Sequence, residues 1–104
     1  MRIIIEDEYL INLYVNGKPI GKPRFNVEVE LIFVRRMVQI EQARNTNDLR
    51  NIKSLHFEKL TGKLMGKYSV RLNRSFRIIF RIEKDGDDNR IEIICVEELN
   101  NHYS

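Results

Sequence analysis

The period of the hydrophobic pattern changes along the chain, and each change marks an element. Arg2 to Ile5 is a short β-branched run and reads as a strand. Tyr9, Leu10, Leu13 and Tyr14 recur at helical spacing, after Glu6 and Asp7, which suit a helix start, and before Asn16-Gly17, a stop signal. Lys18 to Pro23, holding both prolines and Gly21, is a loop. Residues 25–43 carry a conflict. Phe25, Val27, Val29, Leu31 and Phe33 alternate like a strand, while Val34, Met37, Val38 and Ile40 continue at helical spacing. No Gly or Pro interrupts the run, so it predicts one long helix with Asn26 as N-cap and Arg35, Arg36, Gln39 and Gln42 on its wet face, a partner contact being the rival reading for Arg35 and Arg36. Asn45 to Lys53 reads as a loop or a short turn of helix. Leu55 to Leu60 reads as a strand, and Thr61 to Lys67 as an exposed, glycine-containing connector.

Strict alternation is clearest from Tyr68 to Glu83. Tyr68, Val70 and Leu72 form one apolar set, and Phe76, Ile78, Phe80 and Ile82 the next. Both sets must face one way, because a slip of a single residue would send one of them into water. A turn at Asn73-Arg74-Ser75 satisfies this, pairing Leu72 with Phe76, Arg71 with Arg77 and Val70 with Ile78, and three-residue loops usually hold one residue at positive φ. Arg71 and Arg77 are then direct neighbours on the outer face, with Arg81 and Lys67 beside them. Like charges so placed are unfavourable, so an anion is expected there. Lys84 to Asn89 is a turn by composition, and Arg90 to Glu97 is the last strand. Setting Ile82 opposite Ile91 also pairs Phe80 with Ile93, Ile78 with Cys95, Arg81 with Glu92 and Glu83 with Arg90. That register leaves Ile79, Ile94 and Val96 on the outer face, to be covered by the tail or by a partner.

Composition narrows the class. With 104 residues, 42% apolar and 32% charged, the chain predicts one globular domain. The net charge of +3 is mild, and the clustering of cations between Lys59 and Arg81 says more. The one cysteine, Cys95, excludes an internal disulfide and suits a reducing compartment. No apolar run reaches the ~18 residues of a membrane span, and acids directly after the first isoleucines are not a signal-peptide pattern, so a cytoplasmic protein is expected.

The stretch SVRLNRSFRIIF, Ser69 to Phe80, resembles the core signature of the RelE/ParE toxins of bacterial type II toxin–antitoxin systems: S-hydrophobic-R-hydrophobic-N, two variable residues, an aromatic, then R-I-x-F. LTGKLMGKYS, Leu60 to Ser69, is similar to the lead-in of that family, and the HigB-like branch, the plasmid-maintenance killer proteins, is the nearest in pattern. The specific match spans residues 55–103. The resemblance implies an α+β fold, an antiparallel-dominated sheet packed on two N-terminal helices in the order β-α-α-β-β-β-β. It also implies a toxin that cuts mRNA on the ribosome without metal or cofactor. A cognate antitoxin of helix-turn-helix type would neutralise it, and operator DNA would be met only through that antitoxin.

Cleavage of RNA by its own 2′-OH needs a base, an acid and donors for the phosphate. Arg77 matches the R-I-x-F arginine and Arg71 the first arginine of the signature. A guanidinium fork suits phosphate oxygens. Lys59, Lys63, Lys67 and Arg81 are expected to hold RNA backbone. The sequence departs from the family where a lysine often precedes the first lead-in glycine, since that position is Thr61. The histidine of HigB-like members, two residues before the lead-in leucine, is here Glu58, with His56 two residues further back on the same predicted strand face. The C-terminal acid-Tyr-His cluster is present with altered spacing as Glu97 to Tyr103, leaving His102 as a candidate acid. Glu58, His56 and His102 are therefore the acid–base candidates, and Tyr68 is expected to pack inward. Two histidines and one cysteine are too few for a zinc site. The alternative readings are a gyrase poison of ParE type, a binding module that has lost catalysis and, outside the family, a generic basic RNA-binding domain.

Overall fold

A computed structural model describes residues 1–101, so His102 lies outside the described residues. The elements are β1 (Arg2–Ile5), α1 (Glu8–Asn16), α2 (Val27–Gln42), α3 (Thr46–Asn51), β2 (Glu58–Lys59), β3 (Tyr68–Arg71), β4 (Phe76–Lys84) and β5 (Glu92–Asn101). The strands form one five-stranded sheet in the order β1-β5-β4-β3-β2. Only β1 lies parallel to its neighbour, β5, so the sheet is antiparallel-dominated, as expected.

Local chemistry sets the helix ends. The Asp7 carboxylate accepts from the amide of Leu10 at 3.1 Å, and Gly17, at φ 76, closes α1 in the left-handed region where a Cβ is costly. Asn26 Oδ1 accepts from Val29 N at 2.8 Å and starts α2 where expected. The double period of residues 25–43 resolves as helix because Val29, Phe33, Met37 and Ile40 form its buried face, while Val27 and Leu31 stay exposed. These residues, with Leu10 and Leu13 of α1, pack against Val70, Ile78, Phe80, Ile94 and Val96 on one face of the sheet. Buried apolar area of this kind is the main stabilising term of a domain this size.

The central hairpin has the predicted register, with Arg71 opposite Arg77, Val70 opposite Ile78 and Tyr68 opposite Phe80. Its turn is made differently from the expected one. No residue of Asn73–Ser75 has positive φ; instead Asn73 Oδ1 accepts from Ser75 N at 2.9 Å and Phe76 N at 2.8 Å. The short polar side chain satisfies two turn amides that a left-handed residue would otherwise arrange.

Two expectations are corrected. Leu55 to Leu60 is not a strand throughout. Lys53–Leu55 is a 3₁₀ turn, His56 is left-handed at φ 45, ψ 53, and only Glu58–Lys59 pair with β3. Leu55 is drawn fully into the core, and the turn at His56 redirects the chain so that Phe57 stacks on Tyr68. The second correction is the register of the last strand. Ile82 meets Ile94 and Phe80 meets Val96, and a bulge then places Leu99 opposite Ile78. The offset from the expected pairing is odd, so the faces are exchanged. Ile94 and Val96 join the helix-side core, while Ile93 and Cys95 lie on the other face. Arg81 meets Cys95 rather than Glu92, and Glu83 meets Ile93 rather than Arg90. All of Ile93 to Val96 are buried, so alternation carries no register signal there. Two exposed charge pairs of about 0–1 kcal/mol each are too weak to impose one. Ile79, Ile94 and Val96 are each 0% exposed, so none needs a partner to cover it.

Candidate nucleic-acid interface and active site

The site grows out of the hairpin. Leu72 N donates to Phe76 O at 2.9 Å, which makes Leu72–Phe76 a hydrogen-bonded pair. The next pair, Arg71–Arg77, is therefore of the close, non-hydrogen-bonded kind, in which opposed side chains stand nearest. Both arginines are half-buried. Among the described residues neither guanidinium makes an ion pair or hydrogen bond, and Arg77 Nε is buried with no partner at all. An unmet charged donor beside a like charge costs folding energy, and an arriving anion would relieve both penalties.

The chemistry needed beside such an anion is adjacent. Glu58 of β2 lies opposite Ser69, and the row Glu58–Ser69–Ile79 runs next to the Arg71–Arg77 row on the same outer face. A narrow cleft is lined by His56, Glu58, Ser69, Arg71, Asn73, Phe76 and Arg77. Four of the acid–base and phosphate-binding candidates, Arg71, Arg77, His56 and Glu58, thus come together. His56 reaches the cleft from its left-handed turn, not from a strand. Ser69, Asn73 and Phe76 were not anticipated as lining; Asn73 enters as the turn-forming residue at the hairpin end. Arg36 was also missed, having been placed on the wet face of α2. Its Nε donates to Arg71 O at 3.1 Å and its Nη1 to Gln39 Oε1 at 2.8 Å.

The expected backbone-binding cations divide. Lys63 stands exposed on the Gly62–Leu64 turn. Lys59 is exposed too, but it pairs with Tyr68 and so points to the side of the sheet away from the cleft. Lys67 and Arg81 are corrected, because the fold itself neutralises them. Arg81 Nη1 lies 2.6 Å from Glu6 and 2.9 Å from Glu97, and its Nη2 3.0 Å from Glu83. Lys67 Nζ lies 2.5 Å from the other oxygen of Glu97. Tyr68 packs inward as expected, between Phe57 and Phe80 with centroids 5.6 and 6.1 Å away. Among the described residues, no group of three His, Cys, Asp or Glu side chains is placed to hold a metal ion, and no helix is long and apolar enough to cross a membrane.

The carboxylate network makes an acid-stability prediction. Burial alone would raise Glu97, but hydrogen bonds from Lys67 and Arg81 more than offset it and hold the carboxyl below its ordinary value of 4.5. Glu92 behaves alike: burial raises it, and hydrogen bonds from the Thr46 side chain and amide, with Lys84, bring it below 4.5. A depressed folded-state value stabilises the fold fully above the unfolded value, and that stability disappears as pH falls through the lower one. The thermal midpoint should therefore drop as pH is lowered below about 4.5, less steeply in Glu97→Gln, with melts between pH 3 and 7 as the check.

Residues 4–94 match the family model described as RelE-like toxin of type II toxin-antitoxin system HigB. An uncharacterized protein of Haemophilus influenzae is 31% identical over 83 residues, 80% of each chain. Among solved structures, a YoeB/ParE toxin from Agrobacterium tumefaciens superposes with TM-score 0.55 at 14% identity, over 99% of this chain and 100% of that one. The Staphylococcus aureus YoeB–YefM toxin–antitoxin heterotetramer gives TM-score 0.58 at 17% identity, covering 99% and 98%. YafQ from Escherichia coli gives 0.56 at 9%, covering 98% and 94%. At these identities the structural likenesses establish the fold.

Proposed function

This chain belongs to the HigB-like, RelE-related toxins of type II toxin–antitoxin systems, and from that premise we propose that it cleaves mRNA on the ribosome. The observation that supports this most is the unpaired Arg71–Arg77 couple facing a cleft that also holds His56 and Glu58. In the proposed reaction Glu58 removes the 2′ proton, and the 2′ oxygen attacks the adjacent phosphorus. The P–O5′ bond breaks, and the leaving 5′ oxygen takes a proton from His56. The products are a 2′,3′-cyclic phosphate and a 5′-hydroxyl end. Arg77 and Arg71 hold the non-bridging oxygens as charge gathers on them, where a fixed donor is most effective. Lys63 meets the flanking backbone. His102 is a second candidate for the acid.

The partner that restrains the toxin is proposed to be a cognate antitoxin protein, as YefM accompanies YoeB in the Staphylococcus aureus complex. Induced expression with mapping of mRNA ends tests the reading. Growth arrest with cuts inside translated codons supports it. Double-strand DNA breaks with trapped gyrase would replace it with a gyrase poison, and growth without arrest would mean that catalysis has been lost.

A further inference from the structure

The ladder between β2 and β3 stops one step short of the cleft, and something else fills the place. Leu60 N donates to Lys67 O at 2.9 Å, and Glu58 pairs with Ser69. By alternation, the backbone groups of Lys67, Ser69 and Arg71 point toward β2, while those of Val70 and Leu72 point toward β4. A continued ladder would set residue 56 opposite Arg71. His56 is left-handed and has already left the strand, so among the described residues no backbone amide reaches the Arg71 carbonyl. Arg36, reaching across from α2, donates Nε to that carbonyl at 3.1 Å. Gln39, one helical turn further on, accepts from its Nη1 at 2.8 Å and steers the fork. Arg36 is half-buried and forms no ion pair with any described carboxylate.

We propose that Arg36 is a positioning residue: it replaces the missing strand residue at the end of the ladder and so fixes the backbone of Arg71, and with it the Arg71 guanidinium, beside Arg77. The departure of His56 opens the cleft, and Arg36 holds the edge that this departure leaves bare. The inference rests on the proposed role of Arg71 at the scissile phosphate. A guanidinium suits the task because its planar donors hold a fixed direction on a helix-borne stem, and small misplacements of a phosphate donor are expensive in rate.

The test compares wild type, Arg36→Ala and Arg36→Lys as full chains. Single-turnover cleavage of mRNA on saturating programmed ribosomes, its salt dependence, the thermal midpoint, and the ¹⁵N–¹H signal of Arg71 Nε during titration with inorganic phosphate are measured. Arg36→Ala is expected to slow cleavage about 10- to 100-fold at unchanged apparent affinity and salt slope. Arg36→Lys, which keeps one donor, should recover part of the loss. The Arg71 signal should broaden and its response to phosphate weaken in Arg36→Ala. An unchanged rate would overturn the proposal, as would a loss that appears wholly as weaker affinity with a salt slope reduced by about one, the mark of a direct phosphate contact. A loss accounted for by the unfolded fraction would overturn it too. If wild type cleaves no RNA, the nuclease reading falls on its own. The Arg71 signal then decides: unaltered in Arg36→Ala, it removes the positioning role as well.

Discussion

Arg77→Ala should abolish growth arrest and lower the single-turnover rate of mRNA cleavage by about 10²–10³-fold, the usual effect of removing one fixed donor from a developing oxyanion. The same substitution should leave the melting temperature unchanged or slightly raised. In the free protein the Arg77 guanidinium stands opposite Arg71 with Nε buried and unpartnered, so the side chain burdens the fold rather than supporting it. Its removal relieves a like-charge contact and an unmet donor, together on the order of 1 kcal/mol. Opposite signs in activity and stability separate a functional arginine from a structural one. Arg77→Lys sharpens the test. It keeps the charge and loses the fork, so it should bind RNA nearly as wild type yet cleave it far more slowly. Retained toxicity in Arg77→Ala would remove the side chain from the mechanism, and a large fall in melting temperature would show that it holds the fold.

The readable parts of this chain are those where burial falls on one side only. The β3–β4 hairpin could be placed to the residue because both its apolar sets had to face the same way and the turn was short. Helix α2 was readable from the length of its unbroken run, in spite of the false alternation from Val27 to Phe33. In β5, Ile93 to Val96 are buried on both faces, and a sequence pattern cannot distinguish two equally buried sides. The stretch from Leu55 to Leu60 failed for a different reason. Tertiary contacts of Leu55 and Phe57 outweigh the local strand pattern, and the left-handed backbone at His56 has no glycine to announce it.

The site shows the same division. Arg71, Arg77, His56 and Glu58 could be proposed together because the hairpin and the chain just before it bring them to one face. Lys67 and Arg81 have the right charge on the right side of the sheet, but Glu6, just past the end of β1, and Glu97 of β5 arrive from far away in sequence and neutralise them. Glu97 points there because β5 pairs in the exchanged register, which puts it on the same face as Cys95, the partner of Arg81, and no residue type signalled that register. Arg36 was hidden for a similar reason. A charged helix position reads as solvent-facing until a strand carbonyl is found within its reach.

Glu58→Gln should change rate and affinity in opposite directions. Among the described residues Glu58 is the one carboxylate lining the cleft, and its charge repels a phosphate held by Arg71 and Arg77. The amide has the same shape and no charge, so RNA should bind the variant equally well or more tightly. With no carboxylate to accept the 2′ proton, cleavage should slow by about 10²–10⁴-fold, the contribution of a positioned base. A merely structural Glu58 predicts neither change, since among the described residues its side chain holds no hydrogen bond or ion pair. His56→Gln should reduce cleavage over the same range if His56 protonates the leaving oxygen. The double variant should then fall well short of the product of the two losses, because base and acid act in one step. Full activity in Glu58→Gln would transfer the proton chemistry to the histidines, with His102→Gln as the variant that then distinguishes between them.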